Sequence, residues 1–416
     1  MRAVLTLLSG GVIAQILPWL ATFALARLYA PSEFGYLALF TSITAAAAIA
    51  ATGRYELAIT LPKAERDANS LALLAALISL CVSALSALVL LCLPADFLGM
   101  DHWHGAQYAL PLAILAMALY QISSYRFLRQ GLYRSISAVR LVQAGVTVIL
   151  SLLAGWAGYQ SGLIIGYVCG WLTGALLSVL LLHRSLRINL LQAVAGMKKN
   201  ALEFYHHALY GTLPALLDSL SIFSIIFIIT HHYGSDYAGQ YNLSRLIAFA
   251  PVSLVAGAIG QVLLRESSQQ LRMEQDDRPL FRKVSTYLFC AALLYVPLLM
   301  MTSPHLFPLF FGSSWQTAGI LTAILALSYG IRLLVSTLSS FLLAHRALRI
   351  NGAWQGAYFV IINCLYFFHP QQPMSFFWAL TAIDLLLFAV YFVLIRQVVM
   401  KLDFRQKRSA VTCPRP

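Results

Sequence analysis

Residues 70–93 read SLALLAALISLCVSALSALVLLCL, twenty-four positions without a charged side chain. A helix needs about 20 mainly apolar residues to cross the hydrocarbon core of a bilayer, so this run is long enough to span one. Its flanks differ. Lys63 and Arg66 precede it, and no Lys or Arg follows until Arg126. Cytoplasmic loops of membrane proteins collect Lys and Arg. The run therefore starts inside and ends outside.

The same reading extends along the chain. With 60% hydrophobic and 10% charged residues, the composition lies outside the soluble globular range. Apolar runs at 4–29, 35–60, 70–93, 106–125, 137–156, 162–182, 208–230, 241–264, 284–303, 318–344, 350–368 and 375–395 predict twelve transmembrane helices. Outer-membrane barrels are excluded, because their strands alternate polar and apolar over about 10 residues. Basic residues gather in every second connection: Arg2; Lys63 and Arg66; Arg126 to Arg140; Arg184 to Lys199; Arg265 to Lys283; Arg346 and Arg349; and the tail from Arg396. The alternate connections, near 30–34, 94–105, 156–161, 231–240, 303–317 and 369–374, carry none. Both termini are thus expected in the cytoplasm. The formal net charge of +13 is spread over these stretches and orients the chain against anionic headgroups. Nucleic-acid binding would need a single basic face, and none is evident.

Cys81, Cys92, Cys169, Cys290, Cys364 and Cys413 show no metal-ligand spacing and read as small buried hydrophobes. No cofactor is expected: GxxxxGK[ST] is absent, so transport would draw on a gradient rather than on ATP bound by this chain. The first run imitates a secretion signal at Ala24-Leu25-Ala26 but is too long for one.

The connection 183–207 separates six runs from six, which gives an N-terminal bundle at 1–189 and a C-terminal bundle at 190–416 with a basic tail. A weak repeat supports the division. Tyr29-Ala-Pro-Ser-Glu-Phe-Gly35 follows the first run, and Tyr233-Gly-Ser-Asp-Tyr-Ala-Gly239 follows the seventh. Six crossings return the chain to its starting side, so the halves would be related by a pseudo-twofold axis along the membrane normal. Gly35 and Gly239 are expected in tight outer turns. Pro18, Pro111, Pro214, Pro251 and Pro297 fall inside the runs, either as static kinks or as hinges. Trp103, Trp156, Trp315 and Trp378 lie near outer boundaries as interface anchors. Trp103, with His102 and His104, also offers a surface on which sugars stack.

Charges inside the runs are the candidates for function, since a charge at a helix centre costs about 2.5–3.5 kcal/mol on insertion scales. Asp218, Arg332 and Asp384 lie near the middle of the seventh, tenth and twelfth runs. Arg27 and Arg245 lie in outer parts, and Arg54 and Glu56 in the inner part of the second run. Arg27 either snorkels to headgroups or serves function. Glu56, two positions from Arg54, is expected off the helix face that Arg54 occupies. Asp218 and Asp384 either pair with arginines or bind a coupling cation or proton. Four arginines against three carboxylates make a neutral to slightly cationic interior, suited to an anionic ligand. Guanidinium also matches phosphate by bidentate donation.

Three motifs carry a family resemblance: Ala51-Thr-Gly-Arg-Tyr-Glu-Leu-Ala-Ile59 with Leu61-Pro62, Arg27-Leu-Tyr-Ala-Pro-Ser-Glu-Phe-Gly35, and Tyr241-Asn-Leu-Ser-Arg245 with Pro251. They resemble Wzx-type polysaccharide biosynthesis proteins, the oligosaccharide flippases of the MOP superfamily, which also holds MATE drug exporters and the lipid II flippase. The resemblance implies an all-α, MATE-like protein of two six-helix bundles in a bacterial inner membrane. It implies movement of undecaprenyl-diphosphate-linked oligosaccharide to the periplasmic leaflet by alternating access, without enzymatic chemistry. Membrane lipids, a polysaccharide polymerase and a chain-length regulator are the implied partners. Arg27, Arg54, Glu56 and Arg245 stand at motif positions, whereas Arg332, Asp218 and Asp384 rest on depth alone. Twelve helices rather than fourteen argue against a peptidoglycan precursor as cargo. The alternatives are a MATE-type cation-coupled multidrug exporter, which favours carboxylates, and a non-transporting scaffold of a glycan-assembly complex.

Overall fold

The structure is a computed structural model that describes residues 2–92, 105–185, 190–273, 275–368 and 370–411. Its regular structure, among these residues, is entirely helical. The first helices are α1 (Arg2–Leu28), α2 (Pro31–Thr52), the single turn α3 (Tyr55–Ala58) and α4 (Glu65–Cys92). They are followed by α5 (Leu110–Arg129), α6 (Tyr133–Trp156), α7 (Gly162–Ser185) and the long α8 (Leu190–Ser244). Next are α9 (Ala250–Arg272), α10 (Arg278–Phe311), α11 (Gln316–Leu338) and the short α12 (Ser340–Ala344). The chain closes with α13 (Leu348–Cys364) and α14 (Pro373–Val411).

Nine spans among the described residues are long and apolar enough to cross a membrane. One of them, Gly211–Arg272, holds two expected crossings, because Gly234 (φ 90°, ψ 167°) interrupts the helix. The other two expected crossings coincide with shorter helices, the apolar Ile13–Leu28 within α1 and the 17-residue α13. Every predicted run therefore meets a helix.

By packing, the chain forms two compact units, Met1–Gly239 and Gln240–Pro416. The first part of α8 belongs to the first of these. There the Tyr55 hydroxyl donates to the Ala201 carbonyl (3.3 Å), and Asn200 Nδ2 donates to Asp67 (3.3 Å). The division at 189/190 rests instead on the internal repeat, a property separate from packing.

In the first unit, small residues set the crossings. Gly162, Gly166, Gly170 and Gly174 form one stripe of α7. A Cβ at Gly166 or Gly170 would collide with Ser151 Oγ or Thr147 Oγ1 on α6. In lipid no hydrophobic force drives helices together, so close packing of this kind does. Tyr29 of the first motif wedges beside Gly155 and Gly162 and donates to the Ser151 carbonyl at 2.6 Å. The two motif glycines are not in turns. Both are helical, and a Cβ at Gly35 would overlap the Ser235 carbonyl oxygen, one at Gly239 that of Pro31. The two copies of the motif thus pack backbone against backbone, and glycine is needed for proximity rather than for a turn.

In the second unit, α11 is the buried centre, with Ala318, Leu321, Leu325, Ala326 and Leu338 each at 2% exposure or less. Gln240 caps its start. Gln240 Oε1 accepts from the Ala318 N–H (2.8 Å), while Nε2 donates to the Ser314 carbonyl (2.7 Å). The first of these bonds satisfies an N–H that a helix start leaves open.

Several expectations need correction. Cys81, Cys92, Cys290 and Cys364 are exposed on the helix surface and Cys169 is half-buried; in a bilayer such a surface meets lipid, so a small apolar side chain need not be inside. Trp315 is fully buried rather than an interface anchor, whereas Trp156 and Trp378 are exposed. Pro111 and Pro251 stand in the first turns of α5 and α9, where a missing N–H disturbs least; Pro18, Pro214 and Pro297 are truly internal. His102, Trp103, His104 and Cys413 lie outside the described residues.

Candidate functional site

The second-helix motif departs from a helix. Gly53 (φ 53°) and Arg54 (φ 58°) are both left-handed, ending α2 and restarting the chain as the single turn α3. Left-handed backbone costs an L-residue roughly 1–2 kcal/mol, and such positions concentrate at functional sites. The break also overturns the expectation for Glu56. Helical spacing would send Arg54 and Glu56 to different faces, but with the helix broken at Gly53 and Arg54 both side chains line one cavity of about 460 Å³. Tyr120, Gln121, Ser124 and Tyr125 of α5 and Arg140 of α6 complete its polar wall. Arg140 Nε donates to the Tyr120 hydroxyl at 3.1 Å. Glu56 is 2% exposed, and its Oε2, like Arg54 Nε, is buried without a hydrogen-bond partner. A buried polar atom left unsatisfied costs about 1–3 kcal/mol.

Arg140 lines the same cavity, and charge counting misses it. It groups with the basic stretch Arg126 to Arg140, yet it falls inside the apolar run 137–156, and that overlap is the signal. Two other arginines of the stretch, Arg126 and Arg129, are held by the protein rather than by headgroups. Arg126 is fully buried, donating to Asn69 and lying 3.5 Å from Glu65. Arg129 bonds Glu65 (2.7 Å) and the carbonyls of Ile59 (3.1 Å) and Pro62 (2.7 Å). Together they clamp the segment after α3 to α5.

The second unit gathers the other deep charges. Ser328 and Arg332 stand one turn apart on α11, Trp354 and Tyr358 on α13, and Asp384 and Phe388 on α14. Each pair shares a helix face at i, i+4 spacing. Asp384, 3% exposed, accepts from Arg332 Nη2 on both oxygens (3.0 and 2.9 Å), from Arg332 Nε (3.2 Å) and from the Tyr358 hydroxyl (2.9 Å). The Ser328 hydroxyl also donates to Asp384, and Arg332 donates to Tyr358. The guanidinium carbon lies 4.9 Å from the Phe388 ring centre, 5.6 Å from Tyr358 and 5.9 Å from Phe249. Trp354 braces two of these rings, at 5.3 Å from Tyr358 and 5.0 Å from Phe388. Arg332 also lines a second cavity, of about 340 Å³, with Ser253, Gly257, Gln261 and Ser336.

Arg245 opens a five-residue π-helical segment, Arg245–Phe249, between α8 and α9. Single π turns recur at functional sites. Here the Tyr295 hydroxyl donates to the Ala248 carbonyl within the segment (2.6 Å), and its last residue, Phe249, reaches the Arg332 cluster. Arg245 and Arg332 both act electrostatically on Tyr241 and Tyr329. The remaining two candidates do not join either cavity: Arg27 is exposed in the last turn of α1, and Asp218 is exposed on α8 in the first unit.

One further cluster has residue types suggestive of catalysis. Ser267 donates to Asp277 Oδ2, and His345 Nε2 lies 2.8 Å from the same oxygen, with Asp277 and the His345 side chain almost fully buried. Serine and histidine meet at the carboxylate rather than at each other, so the arrangement does not activate the hydroxyl. It ties α9, the start of α10 and the end of α12 together.

The family described as polysaccharide biosynthesis protein matches residues 24–319. No curated protein matches the chain. Solved structures share its fold, among them the following three. An inward-facing multidrug resistance MATE family transporter of the MOP superfamily aligns with a TM-score of 0.71 at 12% identity, covering 94% of this chain and 95% of its own. The lipid II flippase MurJ, in an inward closed conformation, aligns with 0.62 at 12% identity over 97% and 98%. A mutant of the Vibrio cholerae MATE transporter VcmN aligns with 0.57 at 15% identity over 96% and 94%.

Proposed function

This chain belongs to the polysaccharide biosynthesis protein family, and on that premise we propose that it is a flippase for lipid-linked oligosaccharide. The observation that carries the reading is the cavity of Arg54, Glu56 and Arg140, where Arg54 and Glu56 keep buried polar atoms unpartnered inside an apolar helical frame. Two guanidiniums at one cavity suit a diphosphate, which accepts several charge-assisted hydrogen bonds at once. Glu56 and the side chains of Gln121, Ser124 and Tyr125 suit sugar hydroxyls.

The cargo is undecaprenyl diphosphate carrying an oligosaccharide unit for O-antigen or exopolysaccharide synthesis. It moves from the cytoplasmic to the periplasmic leaflet by alternating access, and its polyprenyl tail stays in lipid. The chain sits in a bacterial inner membrane with both termini in the cytoplasm, as two related six-helix halves, 1–189 and 190–416. Polymerase and chain-length regulator act downstream. Arg245 and Arg332 present the anion-binding charge of the second unit, and Asp384 holds Arg332 in place. An organic-cation exporter would need that carboxylate free, whereas Arg332 occupies it at 2.9 Å.

Deleting the gene tests the proposal. Lipid-linked oligosaccharide should accumulate on the inner leaflet, and wild type but not Arg54→Ala should restore export. Unchanged glycan export together with new drug sensitivity would overturn it.

A further inference from the structure

The surroundings of Arg332 are those of a bound ligand rather than of a surface ion pair. Its guanidinium has a buried carboxylate along one edge and three aromatic rings within 6 Å. Aromatic faces and a carboxylate together are what a protein offers to an organic cation. Asp384 also accepts from Ser328 and Tyr358, which stand on two separate helices, so two of its donors remain when the arginine is removed. The Arg332 side chain is also part of the wall of the 340 Å³ cavity, so its removal would open the enclosure to that cavity.

We propose that Asp384, Tyr358, Phe388 and Phe249 form a binding site for a guanidinium-type organic cation, and that Arg332 is its built-in occupant. The charge preference of the adjoining cavity then rests on one side chain. With Arg332 in place, the carboxylate is neutralised and the remaining donor capacity of the guanidinium faces a ligand that accepts hydrogen bonds. Without it, the same cavity leads to a carboxylate in an aromatic cage and favours cations. This inference concerns binding alone and does not depend on the cargo proposed above.

The test uses purified full-length Arg332→Ala protein in detergent, with methylguanidinium chloride as the probe and sodium chloride as the ionic-strength control. Methylguanidinium should raise the unfolding temperature of Arg332→Ala saturably, with half-saturation on the order of 1 mM. Wild type should not respond, since its site is filled, and neither should Arg332→Ala/Asp384→Asn. Should Arg332→Ala fail to remain monodisperse alone, methylguanidinium present during extraction should restore the monodisperse fraction. A response equal to that of sodium chloride, or an equal response in wild type, would overturn the proposal and leave the pair a helix-to-helix staple. Either result leaves the export experiment unaffected, because no cargo takes part.

Discussion

The charges at the two cavities, one in each unit, are held in opposite ways. In the second, Asp384 is fully engaged: Ser328, Tyr358 and Arg332 supply the donors from two further helices, and aromatic rings cover the guanidinium. In the first, Arg54 and Glu56 face a larger cavity with a nitrogen and an oxygen left without partners, on a backbone held left-handed. A satisfied buried pair organises the helices that carry it, while a buried polar group left unsatisfied carries a cost that a bound partner would offset. On the function proposed above, the contrast separates a charge pair that builds the protein from charges placed to meet the cargo.

The largest effect should come from breaking the satisfied pair. Asp384→Ala leaves the half-buried guanidinium with Tyr358 but without its carboxylate and is expected to destabilise by up to about 3 kcal/mol, the lower end of the cost of a lone buried charge. The double change Arg332→Met/Asp384→Leu should lose much less, because no charge is then stranded. Reversible unfolding in detergent checks both, and equal losses in single and double variants would dissolve the contrast.

Next in size is Arg54→Ala. One charge-assisted hydrogen bond is worth about 1.5–3 kcal/mol, so flipping should fall roughly 10- to 100-fold while the unfolding temperature barely moves. Transport of labelled lipid-linked oligosaccharide in proteoliposomes measures the first quantity and thermal denaturation the second. A variant that is unstable rather than inactive would move Arg54 into the structural class.

A smaller effect separates backbone from side chain at the same position. Arg54→Gly accepts the φ of 58° without strain and should be about 1 kcal/mol more stable than Arg54→Ala, with transport equally lost. Equal stability of the two variants would mean that the left-handed turn stores no strain.

The smallest change is Tyr120→Phe, which removes the acceptor of Arg140 at 3.1 Å. Stability should shift by no more than about 1 kcal/mol and transport by a few-fold. A complete loss of transport would promote Tyr120 to a direct ligand contact.

Much of this contrast is legible in the sequence. Arg332 and Asp384 stand out by depth alone, since a charge in mid-membrane must find a partner. That they find each other is not legible, because Asp218 is an equal candidate by depth and proves exposed on α8 in the other unit. Arg54 and Glu56 stand out through the motif, but an unbroken helix would separate them, and their shared cavity depends on the break. Gly53 is the available signal, as a glycine followed by a polar residue inside an apolar run permits a left-handed turn. Tyr358 and Ser328 carry no signal of their own. Hydroxyls in apolar helices commonly bond back to their own backbone, as Ser303 does to Leu299 at 2.6 Å and Thr337 to Leu333 at 2.7 Å. Only position tells the two kinds apart.

The sequence by itself determined that the chain crosses a membrane as helices, where those helices run, and which few charges need an explanation. Each of these follows from sums over neighbouring residues, because transfer into lipid is nearly additive along a segment. Tertiary structure alone decided which charges meet, that Gly35 and Gly239 pack against each other's helices, and that Arg332 lies in an aromatic cage while Arg54 faces a cavity. Those outcomes depend on contacts between residues far apart in the chain, and on a backbone break that puts Arg54 and Glu56 at one wall. Hydropathy carries no record of such distances.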